Sequence, residues 1–533
     1  MTNDFEAAVA AWQTLLGKDN VLLGEAAMST YGIDTTGLER RIPAGLRVVE
    51  ASVLPELMRI AERYRIAVYP ISTGRNWGYG TALPAHDDCA IVDLSKLDRI
   101  LHFDAVMGVV TVEPGVTQGM LAEFLDRGNH PFMVPVTGAG PSCSLVGNAL
   151  ERGYGLTPNT DHFAAVTDLE AILADGSRYR TAMHEAGGED LARLFKWGIG
   201  AYSAGLFTQS GFGIVTRMSI LLAQRPECIK VCLFNLKDDS LLETAVECIR
   251  DILVKLPGTV GGINLINRHR VLAMSAPYPL EHLDSDGLIH SEVVAKMGRQ
   301  YQIAPWTGFG TLYGTRRMVS AAQKEIRQAL AGVGSRLIFL SPGNAATLAR
   351  AACWLPGRTG QRLRSTAAVL ARSLELVAGR PNETALPLAY WRNVAVAPST
   401  NKDPARDGCG LIWYAPLVPM RPNSARRYVE MVTEVTRAYG MEPLLTFTSL
   451  SDKVFDSTVP LIFDRSQPAA VENAQACYRA LIERGKSQGW FPYRVAIGAM
   501  PELAGMMDES HTFHERLRLG LDPHNLISPG RYR

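Results

Sequence analysis

Short β-rich runs alternate with helix-period stretches through the first part of the chain. The run LRVVEAS is followed by a helical stretch from about Leu54 to Tyr64, and then by IAVYPIS, CAIVDLS and GVVTVEPG, each rich in apolar and β-branched residues. Strands of this kind need cover on at least one face, so the pattern predicts an α+β or α/β arrangement. Ahead of them, Phe5, Val9, Trp12 and Leu16 recur at helical spacing and predict an amphipathic helix. AAVTDLEAILADGSRYRT reads as two strands joined by an Asp175-Gly176 turn. From about 228 to 480 the texture shifts to longer helical patterns such as LLETAVECIRDILVKL and SARRYVEMVTEVTRAYG, separated by strands such as CGLIWYAPLV. A short helix near Phe513 to Leu519 precedes the final DPHNLISPGRYR, and residues 335 to 385 give no clear pattern.

Glycine-rich loops break this pattern at several points. STGRNWGYG carries three glycines in nine residues between two predicted strands, so its backbone is shaped to approach something closely. A diphosphate suits such a loop, because backbone N–H groups unscreened by side chains can solvate its charge, and Arg75 and Asn76 add donors. The sequence is neither GxxxxGK[ST] nor GxGxxG, so the P-loop and Rossmann readings lack support. A single loop like this is as often a plain surface turn. Two more, TGAGPSCSLVGNALERGYG from Thr137 to Gly155 and FTQSGFGIVTRMSILLA from 207 to 223, make the first 225 residues read as a nucleotide-binding domain, with a second α+β domain after it.

Composition narrows the function. Fifty-four basic against 53 acidic residues leave a net charge of +1, so no global field favours nucleic acid or an anionic membrane. The eight cysteines are scattered without a CxxC or CxxCH spacing, which argues against a zinc ribbon, a redox dithiol or an attached haem; reduced thiols and no metal centre are expected. No apolar run reaches membrane-spanning length, and the first residues carry acidic side chains and no apolar signal core, so a cytoplasmic location is expected.

YPISTGRNWGYG (69 to 80) resembles the phosphate loop of the vanillyl-alcohol oxidase and p-cresol methylhydroxylase family, and GPSCSLVGNALERGYGLTP (140 to 158) resembles that family's second flavin loop. FTQSGFGIVT and DPHNLISPGRYR are similar to two further family segments. The resemblance implies an α+β fold in which both chain ends (1–225 and 490–533) form an FAD-binding domain around an inserted cap domain (226–489). By the same likeness Ser72, Thr73, Gly74, Arg75, Asn76, Ser142, Gly147, Asn148, Gly155, Ile214, Val215 and Arg531 contact FAD, and a homodimer is implied.

The likeness also implies a phenolate site. Removing a hydride from the carbon para to a phenol hydroxyl is easier from the phenolate, whose oxygen electrons flow into a quinone methide. At about 4 Å and an effective dielectric near 20, one cation contributes about 4 kcal/mol, or about three pKa units, before desolvation. Tyr79, Tyr493 and Arg494 match the family's phenolate-binding trio. Taken alone, Tyr493-Arg494 reads as a half-buried aromatic beside a surface cation, and Tyr79 as a packing residue under its loop.

This chain departs from the family at several positions. Leu411, in CGLIWYAPLVP, stands where one branch has a histidine bonded to the flavin, and Trp413 on the same strand is expected to line the pocket. The other branch links flavin to a tyrosine before this strand; here Tyr390 is the candidate, with ordinary packing the favoured role, so noncovalent FAD is expected. Ala139 replaces an acid near flavin N5, Thr446 a glutamate and Leu156 a tyrosine, leaving no obvious carboxylate to activate water. Glu151 is a candidate by sequence proximity alone, with a surface or loop carboxylate the favoured reading. The expected reaction is oxidation of a para-substituted phenol, with dioxygen or a cytochrome as electron acceptor. The alternatives are oxidation of a non-phenolic alcohol on the same fold, and a flavin-binding subunit without turnover of its own.

Overall fold

The computed structural model describes residues 3–352, 357–393 and 401–532. The predicted amphipathic helix forms over Asn3–Leu16 and the next over Leu54–Tyr64, and their apolar faces meet: Trp12 is fully buried and its indole N–H donates to the Leu57 carbonyl at 3.2 Å. Both helices cover a four-stranded sheet ordered Val21–Leu23, Ala44–Arg47, Ala90–Asp93, Val68–Ile71, in which the last three strands run parallel. LRVVEAS is strand only through Arg47; Ala51–Val53 is a single 3-10 turn leading into the helix, whose early Pro55 fits a helix start.

A five-stranded antiparallel sheet follows, ordered Ile100–Asp104, Val109–Val112, Ile214–Leu221, Val166–Ile172, Arg178–Arg180. Its last two strands form the hairpin expected at Asp175-Gly176, with Gly176 in the left-handed region at φ 80°. The remaining chain builds an eight-stranded sheet ordered Gly334–Leu340, Cys228–Leu236, Trp306–Gly314, Val260–Asn267, Thr446–Ser449, Val454–Asp464, Cys409–Pro419, Pro492–Arg494. Helices Leu242–Lys255, Arg316–Ala329, Pro422–Ala438 and Pro468–Ser487 cover it with apolar residues at helical spacing, such as Leu242, Ala245, Val246 and Ile249. The stretch without clear pattern, 335 to 385, contains the edge strand Gly334–Leu340 and the helices Pro342–Ala352 and Gly357–Val377. The described cysteines form no disulfide, and Cys353 lies outside the described residues.

Two backbone contacts bring distant segments together. Ile527 lies beside the strand Val68–Ile71: the Val68 N–H donates to the Leu526 carbonyl at 2.7 Å, and the Ser528 N–H donates to the Val68 carbonyl at 2.8 Å. On the other side, the Trp413 N–H donates to the Gly78 carbonyl at 3.1 Å and the Ile497 N–H to the Tyr79 carbonyl at 3.0 Å. The loop 72–80 is thereby clamped between the terminal segment and the eight-stranded sheet. Gly78 is required there, because it sits at φ 80° and an added Cβ would lie 2.2 Å from Trp413 Cδ1.

Gly78→Ala is therefore expected to destabilise by about 1–3 kcal/mol or more, since backbone strain and overpacking add. Gly408→Ala, at φ 84° with nothing within 4 Å, carries the strain alone and should cost less. Urea unfolding of the two variants checks this; equal losses would mean that the Trp413 contact is irrelevant.

Candidate active site

Four glycine-bearing segments meet in space. Gly147 faces Ser72, where a Cβ would lie 3.1 Å from the serine oxygen, and Gly211 faces the Ile527 carbonyl, where a Cβ would lie 2.3 Å away. Gly155 packs so closely on Val136 and His162 that no side chain fits. Ser144 caps the short helix Leu145–Leu150 by accepting from the Gly147 N–H at 3.0 Å. In the first loop, no described protein group accepts from the N–H groups of Thr73, Gly74 and Arg75, and these residues line a cleft with Thr81 and Asp403. Unpaired N–H groups on a glycine loop fit an anionic diphosphate.

The other expected FAD residues are placed as follows. Arg75 pairs with Asp403 and lies over the Trp77 ring at 5.7 Å. Asn76 accepts from the Arg494 guanidinium instead of facing the cleft alone. Asn148 bonds His162, a buried ring that desolvation pushes down to about 4 and so keeps neutral. Ser142 is exposed. Ile214 and Val215 bury their side chains in two adjacent cores and pair in the sheet with Ile172 and Ala171. Arg531 donates to the Tyr69 hydroxyl at 2.8 Å and to Glu151.

Tyr79, Tyr493 and Arg494 come together. The Arg494 guanidinium carbon stands 4.1 Å from the centre of the Tyr79 ring, a cation–π arrangement, and the Arg494 side chain is only 11% exposed. Tyr493 packs edge-to-face on Tyr154 at 5.3 Å, and the Gln209 side chain donates to its carbonyl at 3.0 Å. Burial raises the pKa of both Tyr79 and Tyr493, so each hydroxyl remains a proton donor. The strand Pro492–Arg494 pairs with Cys409–Pro419 through Ala415 and Arg494, which sets Arg494 two residues along from Trp413.

The expected pocket residues lie close by in the sheet. Trp413 is partly buried on the face shared with Leu411, Thr446 is buried and paired with Ile266 and Thr458, and Leu156 is partly buried with its carbonyl accepting from the Tyr313 hydroxyl at 2.6 Å. The Tyr390 hydroxyl donates to Asp407 at 2.5 Å.

Two carboxyl groups correct the sequence reading. Glu151 is not a surface carboxylate: it is 8% exposed, pairs with Arg531 and lies 3.4 Å from Arg494 Nε. The chain turns back after the short helix, so a residue four positions from Gly147 ends up between two arginines. Asp456, on the strand Val454–Asp464, went unnoticed because it sits in an ordinary β-rich run. It is 4% exposed, one of its oxygens has no described partner, and its charge acts on Tyr79, Tyr493 and Tyr154. The site therefore does hold a carboxyl group, contrary to the expectation from Ala139, Leu156 and Thr446.

A glycine cradle for a diphosphate beside a buried cation and two phenols defines a flavin-dependent oxidoreductase site. Residues 46–182 match the family model described as an FAD binding domain. The chain is 34% identical over 537 residues to the 1'-carboxy-chondrochloren decarboxylase of Chondromyces crocatus, covering 100% of this chain and 98% of the relative. It is 26% identical to the 4-cresol dehydrogenase [hydroxylating] flavoprotein subunit of Pseudomonas putida, covering 99% and 95%. The solved structure of p-cresol methylhydroxylase with substrate bound has the same fold, with a TM-score of 0.87, 24% identity and coverage of 100% and 97%. The chain belongs to the vanillyl-alcohol oxidase and p-cresol methylhydroxylase family of FAD-dependent oxidoreductases. FAD is its cofactor.

Burial raises the Asp456 carboxyl to about 7, with Arg494 pulling the other way. A carboxyl held above its unfolded value stabilises the fold fully below the ordinary carboxylate range, and that contribution is lost as pH rises through about 7. Asp456→Asn, which cannot ionise, should therefore gain stability relative to the parent between pH 4 and pH 8. Urea unfolding across that range tests it, and parallel stability curves would refute it.

Proposed function

We propose that this protein oxidises a para-substituted phenol by removing a hydride from the benzylic carbon of the phenolate. The observation that carries the reading is the buried Arg494 guanidinium held against Tyr79 beside Tyr493. Bound FAD supplies the hydride acceptor at N5. Ser72 to Arg75, Gly147 and Arg531 would hold it, noncovalently, since Leu411 offers no histidine and the Tyr390 hydroxyl is engaged by Asp407. Arg494 and the hydroxyls of Tyr79 and Tyr493 hold the phenolate oxygen, and Asp456, with its carboxyl near neutrality, takes the phenol proton. Electron flow from that oxygen weakens the benzylic C–H bond and leaves a p-quinone methide.

A second outcome for that intermediate is favoured once Asp456 has taken the phenol proton, because the apolar Ala139 and Leu156 offer no other group to activate water. A substituent on the carbon next to the benzylic position can depart, the electron pair of its bond restoring the aromatic ring. One relative, at 34% identity, is named a decarboxylase.

Arg494→Gln removes the cation and is expected to slow flavin reduction by about a thousandfold, the equivalent of about 4 kcal/mol. Anaerobic mixing with 4-ethylphenol, read as flavin bleaching, measures it. Bleaching of the parent protein only by sugars or hydroxy acids would replace the phenol with another alcohol, and bleaching by none of them would favour a subunit without turnover.

A further inference from the structure

Arg270 lies in the first turn of the helix Arg268–Ser275, directly after a strand that pairs with Thr446–Ser449. Its backbone N–H is used to close the helix, donating to the Asn267 side chain at 3.0 Å. Its guanidinium is not used at all: Nη1 is shut off from solvent, and no described residue offers the group a hydrogen bond or a carboxylate. Several other interior arginines have partners for their guanidinium. Arg392 donates to the carbonyls of Gly440 at 2.8 Å and Gly287 at 3.0 Å, Arg465 donates to the Ala405 carbonyl at 2.7 Å, and Arg531 pairs with Glu151.

Among the described residues, the Arg270 charge faces the Trp413 ring, whose centre is 5.2 Å from the guanidinium carbon. A ring face returns far less than water or a counter-ion, so an arginine left this way carries a standing cost. Burial alone depresses its pKa, to about 9, and no other charge acts on it strongly enough to matter. It therefore remains a cation near neutral pH. Its place is informative. The Trp413 ring also abuts Gly78, next to Tyr79, and Trp413 lies two residues along its strand from Ala415, the partner of Arg494. Arg270 thus stands against Trp413, on the strand whose Ala415 pairs with Arg494.

We propose that Arg270 binds a carboxylate on the para substituent of the substrate, so that the enzyme selects phenols whose side chain ends in an anion. The proposal rests on the phenol reading for the position of the ring. A phenol ring placed at Arg494 directs its para substituent away from that cation, and Arg270 offers planar paired donors suited to a carboxylate. Substrate binding then supplies the counter-ion that the fold withholds.

The test uses the purified FAD-containing protein and two phenols of equal length, 3-(4-hydroxyphenyl)propanoate and 4-propylphenol. Flavin bleaching gives the ratio of their reduction efficiencies. 3-Phenylpropanoate, which lacks the hydroxyl, reports the anion site alone through its perturbation of the flavin spectrum. The parent should favour the acid. Arg270→Met should lower the acid-to-neutral ratio by about a hundredfold and weaken 3-phenylpropanoate similarly, with Arg270→Lys restoring part of both. A ratio changed by less than about threefold, or 3-phenylpropanoate that fails to bind the parent or binds parent and variants alike, would overturn the proposal. If neither phenol bleaches the flavin while 3-phenylpropanoate still binds through Arg270, the phenol reading falls and the anion site stands.

Discussion

The arrangement of this protein depends on holding the Arg494 cation out of water. A lone buried guanidinium is costly, and here the cost is met from several parts of the chain: Asn76 accepts a hydrogen bond, the Tyr79 ring lies beneath, and Glu151 stands 3.4 Å away. Asn76 and Tyr79 belong to the first glycine loop and Glu151 to the second, so both loops are fixed by the group they surround. Removing any one of them leaves the charge less compensated and the loops less constrained. Positioning of the cofactor cradle and of the Arg494 cation is thus a single structural problem.

The same logic explains why the last residues matter. Arg531 shares Glu151 with Arg494, and Ile527 lies beside the strand that leads into the first loop. A terminal segment with few apolar residues of its own is held by Asp522, which accepts from the N–H groups of Leu526 and Ile527, each at 2.8 Å. These local bonds shape a turn whose backbone then meets Val68. Cradle and terminus form one unit because a carboxylate between two arginines is much better compensated than one carboxylate facing one arginine at the surface.

Much of this was legible in the sequence, for identifiable reasons. Glycine loops announce themselves because only glycine tolerates positive φ at a close approach, as at Gly78, and the helix Leu54–Tyr64 carries a strong apolar period. The trio Tyr79, Tyr493 and Arg494 was visible only through family likeness; no spacing rule joins residues more than 400 positions apart. Asp456 was missed because β-strand alternation says which residues face inward but not what they meet there. Glu151 was misread for a related reason: a charged residue after a short helix is usually exposed, and its burial depends on two arginines from the far end of the chain.

Charge balance within the site shows why a neutral-range carboxyl is useful there. Arg494 and Arg531 carry two positive charges, and Glu151 cancels one. If Asp456 were fully ionised, the site would be neutral and would gain little by binding a phenolate. Burial raises Asp456 to about 7 and so leaves it partly protonated at neutral pH, keeping a positive excess beside Tyr79 and Tyr493. On the proposed reading, a phenol that enters and gives up its proton would take on the charge that an ionised Asp456 would otherwise have supplied. A carboxyl of ordinary acidity at the same place would compete with the substrate, and a residue that cannot ionise would give the departing proton nowhere to go.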